Sequence, residues 1–235
     1  MTARWLTGTV LAVDLETTSP NPEEARIVTA HAVECGIAGA VVRGNWLVNP
    51  GVPIPAEASA IHGITDEMVR AGGVDPAVAV VNLLGLIAIA QREGVPLVIM
   101  NANFDLTVLR AECARVGHNF DHGPILDPRV IDLACDKYRR GKRKLLDLVA
   151  HYGVKVGAAH SADGDALMAA RIVWRQARRY PLIADKTIDE MQTFQAAAYR
   201  EWADHLTEYY RSTGKNEVVD PSWPIREANA HTRAA

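Results

Sequence analysis

The sequence predicts an α/β protein, a mixed β-sheet with flanking helices, followed by a C-terminal helical extension. Two observations carry this prediction. The chain opens with three strand-like runs joined by short polar or glycine-containing connections, the pattern of an antiparallel meander. After them, short apolar runs alternate with helical segments, which places helices on the faces of a mixed sheet.

Taken in order, the strand-like runs are "LTGTVLAVDL", "RIVTAHAVEC" and "GAVVRGNWLVN", the second with Ile27, Thr29, His31 and Val33 on one face. A proline-rich loop, "NPGVPIPAEAS", leads to "IHGITDEMVRAG", where Thr65 followed by Asp66 and Glu67 reads as a helix start with acids in its first turn. The segment Asp75 to Glu93 begins with an aspartate cap and a proline at the first helical position. It is apolar nearly all round, so a buried helix is expected, too short to cross a membrane. "VPLVIMNANFD" is a short apolar strand that runs into a polar corner, and "FDLTVLRAECARVG" a helix. "ILDPRVIDLACDKY" supplies a last strand and a helix start, and "KLLDLVAHYGV" a short helix ended by Gly153. A long helix, "ALMAARIVWRQARR", stops at Pro181. A separate helical stretch from Lys186 to Ser212 carries Phe194, Tyr199, Trp202, Leu206 and Tyr209, and its aromatics read as packing of the extension on the domain. The tail beyond it has little periodicity and is expected to be irregular, with a disordered end. One domain over residues 1–181 and an extension over 182–235 follow from this reading.

Bulk composition narrows the class. The chain has 235 residues, 49% hydrophobic and 23% charged, as in an ordinary soluble domain with room for a sizeable core. A formal net charge of −3 excludes a global attraction for polyanions, so any nucleic-acid site must be a local patch. Cys35, Cys113 and Cys135 are odd in number, far apart and without a Cys-x-x-Cys, which reads as buried thiols in a reducing compartment. "MTARWLTGTV" lacks a signal peptide's apolar core, and no run has the apolar length to cross a bilayer. A cytoplasmic protein is expected.

The chemistry is concentrated where apolar runs end. "VLAVDLETTS" closes in two acids, Asp14 and Glu16, one residue apart. Side chains two apart on a strand point the same way, so both carboxylates crowd one face beside Leu11, Val13 and Leu15. Like charges that close are costly unless a cation or a shared proton neutralises them. Asp105 follows "MNANF", and Asp165 opens the long helix five residues after His160. Four carboxylates at one sheet edge would require cations, and hard oxygen donors select Mg²⁺ or Mn²⁺. Two such ions about 4 Å apart are the standard clamp for in-line attack on a phosphodiester.

These motifs, "VDLETT", "NANFD" and "HSADGDA" in order, resemble the DEDD superfamily of 3′→5′ exonucleases, in the branch with a histidine five residues before the last aspartate. "ASAIHGIT" and "LDPRVIDLACDKYRRGKRKLLDLVAHYGV" extend the likeness over residues 8–178, and the proofreading epsilon subunits of bacterial DNA polymerase III are the most similar branch. The resemblance implies a ribonuclease H-like fold. It implies two Mg²⁺ (or Mn²⁺) bound by Asp14, Glu16, Asp105 and Asp165, with His160 as general base. It places backbone amides of Thr17 and Thr18 near the terminal 3′-OH. Leu15, Ile61 and Phe104 would lie against the last bases, with His62 and Asn101 at the pocket edge. The expected activity is release of mononucleotides from single-stranded 3′ ends, DNA favoured, with a DNA polymerase as a candidate partner. An RNA-trimming exoribonuclease and a catalytically silent polymerase-docking module stay open as alternatives. The chain departs from the family in having Ser19-Pro20 where relatives often carry glycine, and Met100 where many carry histidine.

Three other features have plain structural readings. "RRGKRK", Arg139 to Lys144, reads either as a solvated loop or as a contact for backbone phosphates. Arg175, Arg178 and Arg179 complement a helix C-terminus, and "HNFDH", His118 to His122, reads as a loop.

Overall fold

β1 (Val10–Thr17) lies at the centre of a five-stranded sheet in the computed structural model, which describes residues 5, 8–36, 39–155 and 162–227. β2 (Ile27–Gly36) and β3 (Gly39–Leu47) form the antiparallel meander expected from the sequence. β4 (Leu97–Val98) and β5 (Ile125–Leu126) pair in parallel on the other side, giving the order β3-β2-β1-β4-β5. Parallel neighbours need crossovers. Helices α1 (Ala56–His62), α2 (Asp66–Gly72) and α3 (Pro76–Arg92) fill the first, and α4 (Ala102–Arg115) fills the second. Then come α5 (Pro128–Cys135), α6 (Leu145–His151), α7 (Ala162–Arg179), α8 (Pro181–Ala184) and α9 (Ile188–Ser212). Among the described residues, no helix is long and apolar enough to cross a membrane.

Local sequence explains the helix starts. The Thr65 side chain accepts from the Met68 amide, and that of Asp75 from the Ala77 amide ahead of Pro76. Thr187 and Glu190 close a reciprocal capping box on α9.

The pleat of β1 divides the core in two. Leu11, Val13 and Leu15 pack with Leu83, Ile87, Leu106 and Leu109, under α3 and α4. Val10 and Ala12 face the other way, onto Ala166, Ala169, Ala170 and Val173 of α7. Asp14 and Glu16 continue this second row. They are therefore not beside Leu11, Val13 and Leu15 as the sequence reading had it, because strand alternation sends those three to the opposite face. Small side chains at Ala166, Ala169, Ala170 and Ala177 recur at helical spacing and let α7 approach the sheet closely.

Three expectations change. The apolar α3 is not buried all round: Ala79, Val80, Leu83, Ile87 and Ala90 face the core, while Val78, Val81 and Ile89 are 43–48% exposed. It is an outer-layer helix, and among the described residues its buried side is the one that meets the core. The extension is held by polar contacts as well as by its aromatics. The Gln192 amide exchanges two hydrogen bonds with Ile125 of β5, at 2.9 and 2.8 Å. Gln195, fully buried, accepts from the Asp127 amide (2.7 Å) and donates to the Ile125 carbonyl (2.9 Å). α9 thus closes an otherwise open strand edge. Residues 215–227 have no regular structure, yet they are tied to α4. Asn103 donates to the Ser222 carbonyl (2.7 Å) and accepts from Arg226 Nε (3.0 Å), and Thr107 Oγ1 accepts from the Arg226 amide. The end of the tail, expected to be disordered, lies outside the described residues.

Candidate active site

The four acids converge on the C-terminal end of β1. Asp14 and Glu16 sit on the α7 side of the strand, and a bulge between Glu16 and Thr17 breaks the register with β2 beyond them. Asp105 enters from the first turn of α4, and its Oδ1 accepts from the Leu15 amide at 3.2 Å. Asp165 lies in the first turn of α7. Burial, then Glu16, then Asp165 push the Asp14 carboxyl up to about 7. Glu16 is raised by burial and by Asp165, and Asp105 well raised by burial and by Asp14, partly offset by the Leu15 amide. Each acid thus disfavours ionisation of another. His160 lies outside the described residues.

Among the described residues, no three His, Cys, Asp or Glu side chains are arranged to enclose an ion as they stand. The donor chemistry fits a divalent cation all the same. Asp14, Glu16 and Asp105 are raised by burial and by other carboxylates, and hard oxygen donors held at mutual cost are the ligand type Mg²⁺ takes.

Asp105 owes its position to a turn that the sequence reading did not account for. Asn101 adopts the left-handed conformation (φ 64°), which asparagine tolerates better than most residues. Asp127, fully buried, holds that turn: its carboxylate accepts from the amides of Asn101 (3.1 Å) and Ala102 (2.9 Å), and from those of Arg129 and Val130 as the cap of α5. Burial raises its pKa; Arg129 and these amide bonds counteract it. Arg129 Nη1 donates to Asn101 Oδ1 (3.1 Å), and its guanidinium lies 4.4 Å from the centre of the Trp202 ring. Met100, which stands where many relatives have histidine, packs against the core beside α7. Support for the second motif comes from Asp127, whose sequence signal was an aspartate directly before a proline.

The predicted pocket residues fall into two groups. Ile61 is 83% exposed at the end of α1, and His62 stands next to the Thr17 backbone. The His62 Nδ1 accepts from the Ile64 amide (3.1 Å), and burial pushes its pKa down, partly offset by the Thr17 backbone. Asn101, Phe104 and Thr17 are half-buried, the last donating its hydroxyl to the Ser19 carbonyl (3.1 Å) in the first turn. Leu15 and Thr18 are engaged within the fold. Leu15 is 7% exposed in the core under α4, so it offers little surface to a base. The Thr18 amide donates to the Arg26 carbonyl and its hydroxyl accepts from the Arg26 amide, so no Thr18 N–H is open to a ligand.

Two residues escaped the sequence reading. His31, 4% exposed, pairs directly across from Asp14, and Thr29 across from Glu16, on the same face of the sheet. Their alternation was visible, but the register that sets them beside the acids was not. "HNFDH" is the loop between α4 and β5. In the basic run, Arg139 and Arg143 both bind the buried Asp132, at 3.1 and 2.6 Å, so they are internal ties.

Against known proteins, the RNase_T family model, described as an exonuclease, matches residues 11–173. A DNA polymerase III subunit epsilon-like protein of Rhodobacter capsulatus is 35% identical over 173 residues, 71% of this chain and 23% of that protein. The DNA polymerase III subunit epsilon of Treponema pallidum is 31% identical over 158 residues, 66% of this chain and 70% of the relative. Among solved structures, E. coli exonuclease I in complex with a dT13 oligonucleotide superposes with a TM-score of 0.59 at 20% identity, covering 73% of this chain and 42% of that one. At that identity the likeness shows a shared fold. The chain spans about a quarter of the length of the Rhodobacter protein and under half of exonuclease I.

Proposed function

The chain belongs to the RNase_T exonuclease family, and from that premise we propose that it is a metal-dependent 3′→5′ exonuclease that removes mononucleotides from single-stranded DNA ends. The observation that carries the reading is the convergence of Asp14, Glu16, Asp105 and Asp165, whose mutual repulsion has no function in an inert module. The dT13 strand held by exonuclease I, a protein of the same fold, supports a single-stranded substrate.

Asp14, Glu16, Asp105 and Asp165 would hold two Mg²⁺, which when bound stabilise charge on the attacking and leaving oxygens. The Leu15 amide keeps Asp105 turned towards β1, and Asp127 keeps the Asn101 turn rigid behind it. His160 takes the proton from the attacking water, a task suited to a group with an unperturbed pKa near 6.5. The exposed Ile61 and the half-buried Phe104 present apolar surface to the terminal bases, which accounts for sequence tolerance. His62, beside the Thr17 backbone, edges the same pocket. The epsilon-type relatives suggest work beside a DNA polymerase, testable by co-purification.

The test is digestion of 5′-labelled single-stranded DNA and matched RNA, with Mg²⁺, with EDTA, and with Asp165→Ala protein. A ladder of one-nucleotide steps that needs both metal and Asp165 is expected, faster on DNA. A faster RNA ladder would reassign the substrate, and no cleavage of either with Mg²⁺ or Mn²⁺ would overturn the enzyme reading.

A further inference from the structure

The loop between α5 and α6 is irregular but built. Asp132, fully buried in the middle of α5, accepts from Arg139 Nε (3.1 Å), Arg143 Nε (2.6 Å) and the Tyr152 hydroxyl (2.6 Å). Arg139 also reaches the Lys142 carbonyl (3.0 Å), and Arg143 the Asp136 carbonyl (2.8 Å). Gly141 turns the chain between them in the positive-φ region (φ 97°). Two arginines of the basic run are thus tied inward, and this fixes which side chains point out. Those are Tyr138, 87% exposed, and the exposed Arg140, Lys142 and Lys144. Nearby acids are already engaged: Glu201 with Lys137 (2.6 Å), Asp136 close to His151 (3.6 Å), and Asp147 with the Lys144 amide (3.0 Å). The loop delivers the chain to Leu145, which packs against the same core clusters as Met100, the residue before the Asn101 turn. Its last residues are therefore joined through that core to the segment that turns into α4 and carries Asp105.

We propose that this loop is a binding surface for the body of a single-stranded nucleic acid, with Arg140, Lys142 and Lys144 on successive phosphates and Tyr138 stacked on a base. The inference rests on the exonuclease reading and adds to it a second site that holds the strand behind its 3′ end. A protein with net charge −3, and four carboxylates at its reaction centre, needs a local cationic track to keep a polyanion. A built loop that presents three exposed cations around one exposed aromatic ring combines the two elements that bind single strands without reading sequence.

The test compares a strand of about 20 nucleotides with a dinucleotide, in wild type, in the triple variant R140Q/K142Q/K144Q, and in Tyr138→Ala. The triple variant should lower the ratio of kcat/KM for long over short substrate by roughly tenfold, and make the slope of log kcat/KM against log salt shallower by about 2 on the long strand. Tyr138→Ala should lower the ratio by roughly fivefold or more and leave the salt slope unchanged. DNA and RNA strands should respond alike, since the contacts are to phosphates and ring faces. An unchanged ratio and slope in the triple variant, with wild type active, would overturn this inference and leave the exonuclease intact. If wild type cleaves nothing, the enzyme reading fails by itself. Binding of a labelled strand in Ca²⁺ then decides the surface: equal affinity and equal salt slope in wild type and triple variant would overturn it.

Discussion

Replacing Asp14 by asparagine should stabilise the metal-free protein while abolishing its activity. The Asp14 carboxyl titrates at about 7 in the folded chain, against 3.8 for a free aspartate, because burial, Glu16 and Asp165 all oppose its charge. The folded state therefore holds this proton more tightly than the unfolded state. Without metal, the stability tied to Asp14 is fully present below about pH 4, falls as the pH rises towards 7, and is gone above that. Carrying the charge at about pH 8 costs the folded protein up to roughly 4 kcal/mol. Partial access to water and the hydrogen-bonding needs of the new amide reduce the expected gain from Asp14→Asn to about 2 kcal/mol, or about 4–8 °C in Tm for a chain of this size. The assay is thermal unfolding in EDTA at about pH 5 and about pH 8, then again with saturating Mg²⁺. The variant should exceed wild type only at the higher pH and only in EDTA, and Mg²⁺ should reverse the order by stabilising wild type alone. A variant less stable than wild type in EDTA at the higher pH would mean that the carboxylate makes a favourable native contact, and the repulsion argument would be wrong.

Two further outcomes test other parts of the structure. Asp127→Ala removes the acceptor of four backbone amides around the Asn101 turn and the start of α5. It should lower unfolding stability by about 3 kcal/mol in urea, with turnover reduced besides; a loss under about 1 kcal/mol would show that the turn stands without it. The three thiols are held up by burial, at about 11 for Cys35 and Cys113 and about 12 for Cys135. Native protein at about pH 8 should therefore react slowly with a thiol reagent, and three equivalents should react promptly in denaturant; fast native labelling would contradict their placement.

Much of this molecule was legible in the chain. Alternation and β-branched runs announced β1 to β3, and the Asp75-Pro76 and Thr65 caps announced their helices, because those signals depend on neighbours in sequence. Asp14, Glu16, Asp105 and Asp165 could be picked out because each closes an apolar run or opens a helix. What stayed hidden depends on partners distant in sequence. Whether α3 is buried all round depends on how many layers cover it. That Leu15 lies in the core and Thr18 in a turn depends on which face of β1 meets α4, and on Arg26 across the bulge. His31 beside Asp14 is a matter of register, which alternation leaves undetermined by any even number of residues. Gln192 and Gln195 look like ordinary polar positions until β5 lies alongside them. The sequence by itself determined the order of elements and singled out the acids that close apolar runs or open helices, since these follow from local pattern and residue chemistry. Only the tertiary structure decided that Asp127 holds the turn behind Asp105, that α9 closes the sheet edge, and that two arginines of the basic run face inward while Tyr138 faces out. Each of those depends on one side chain meeting a group brought near it by the fold.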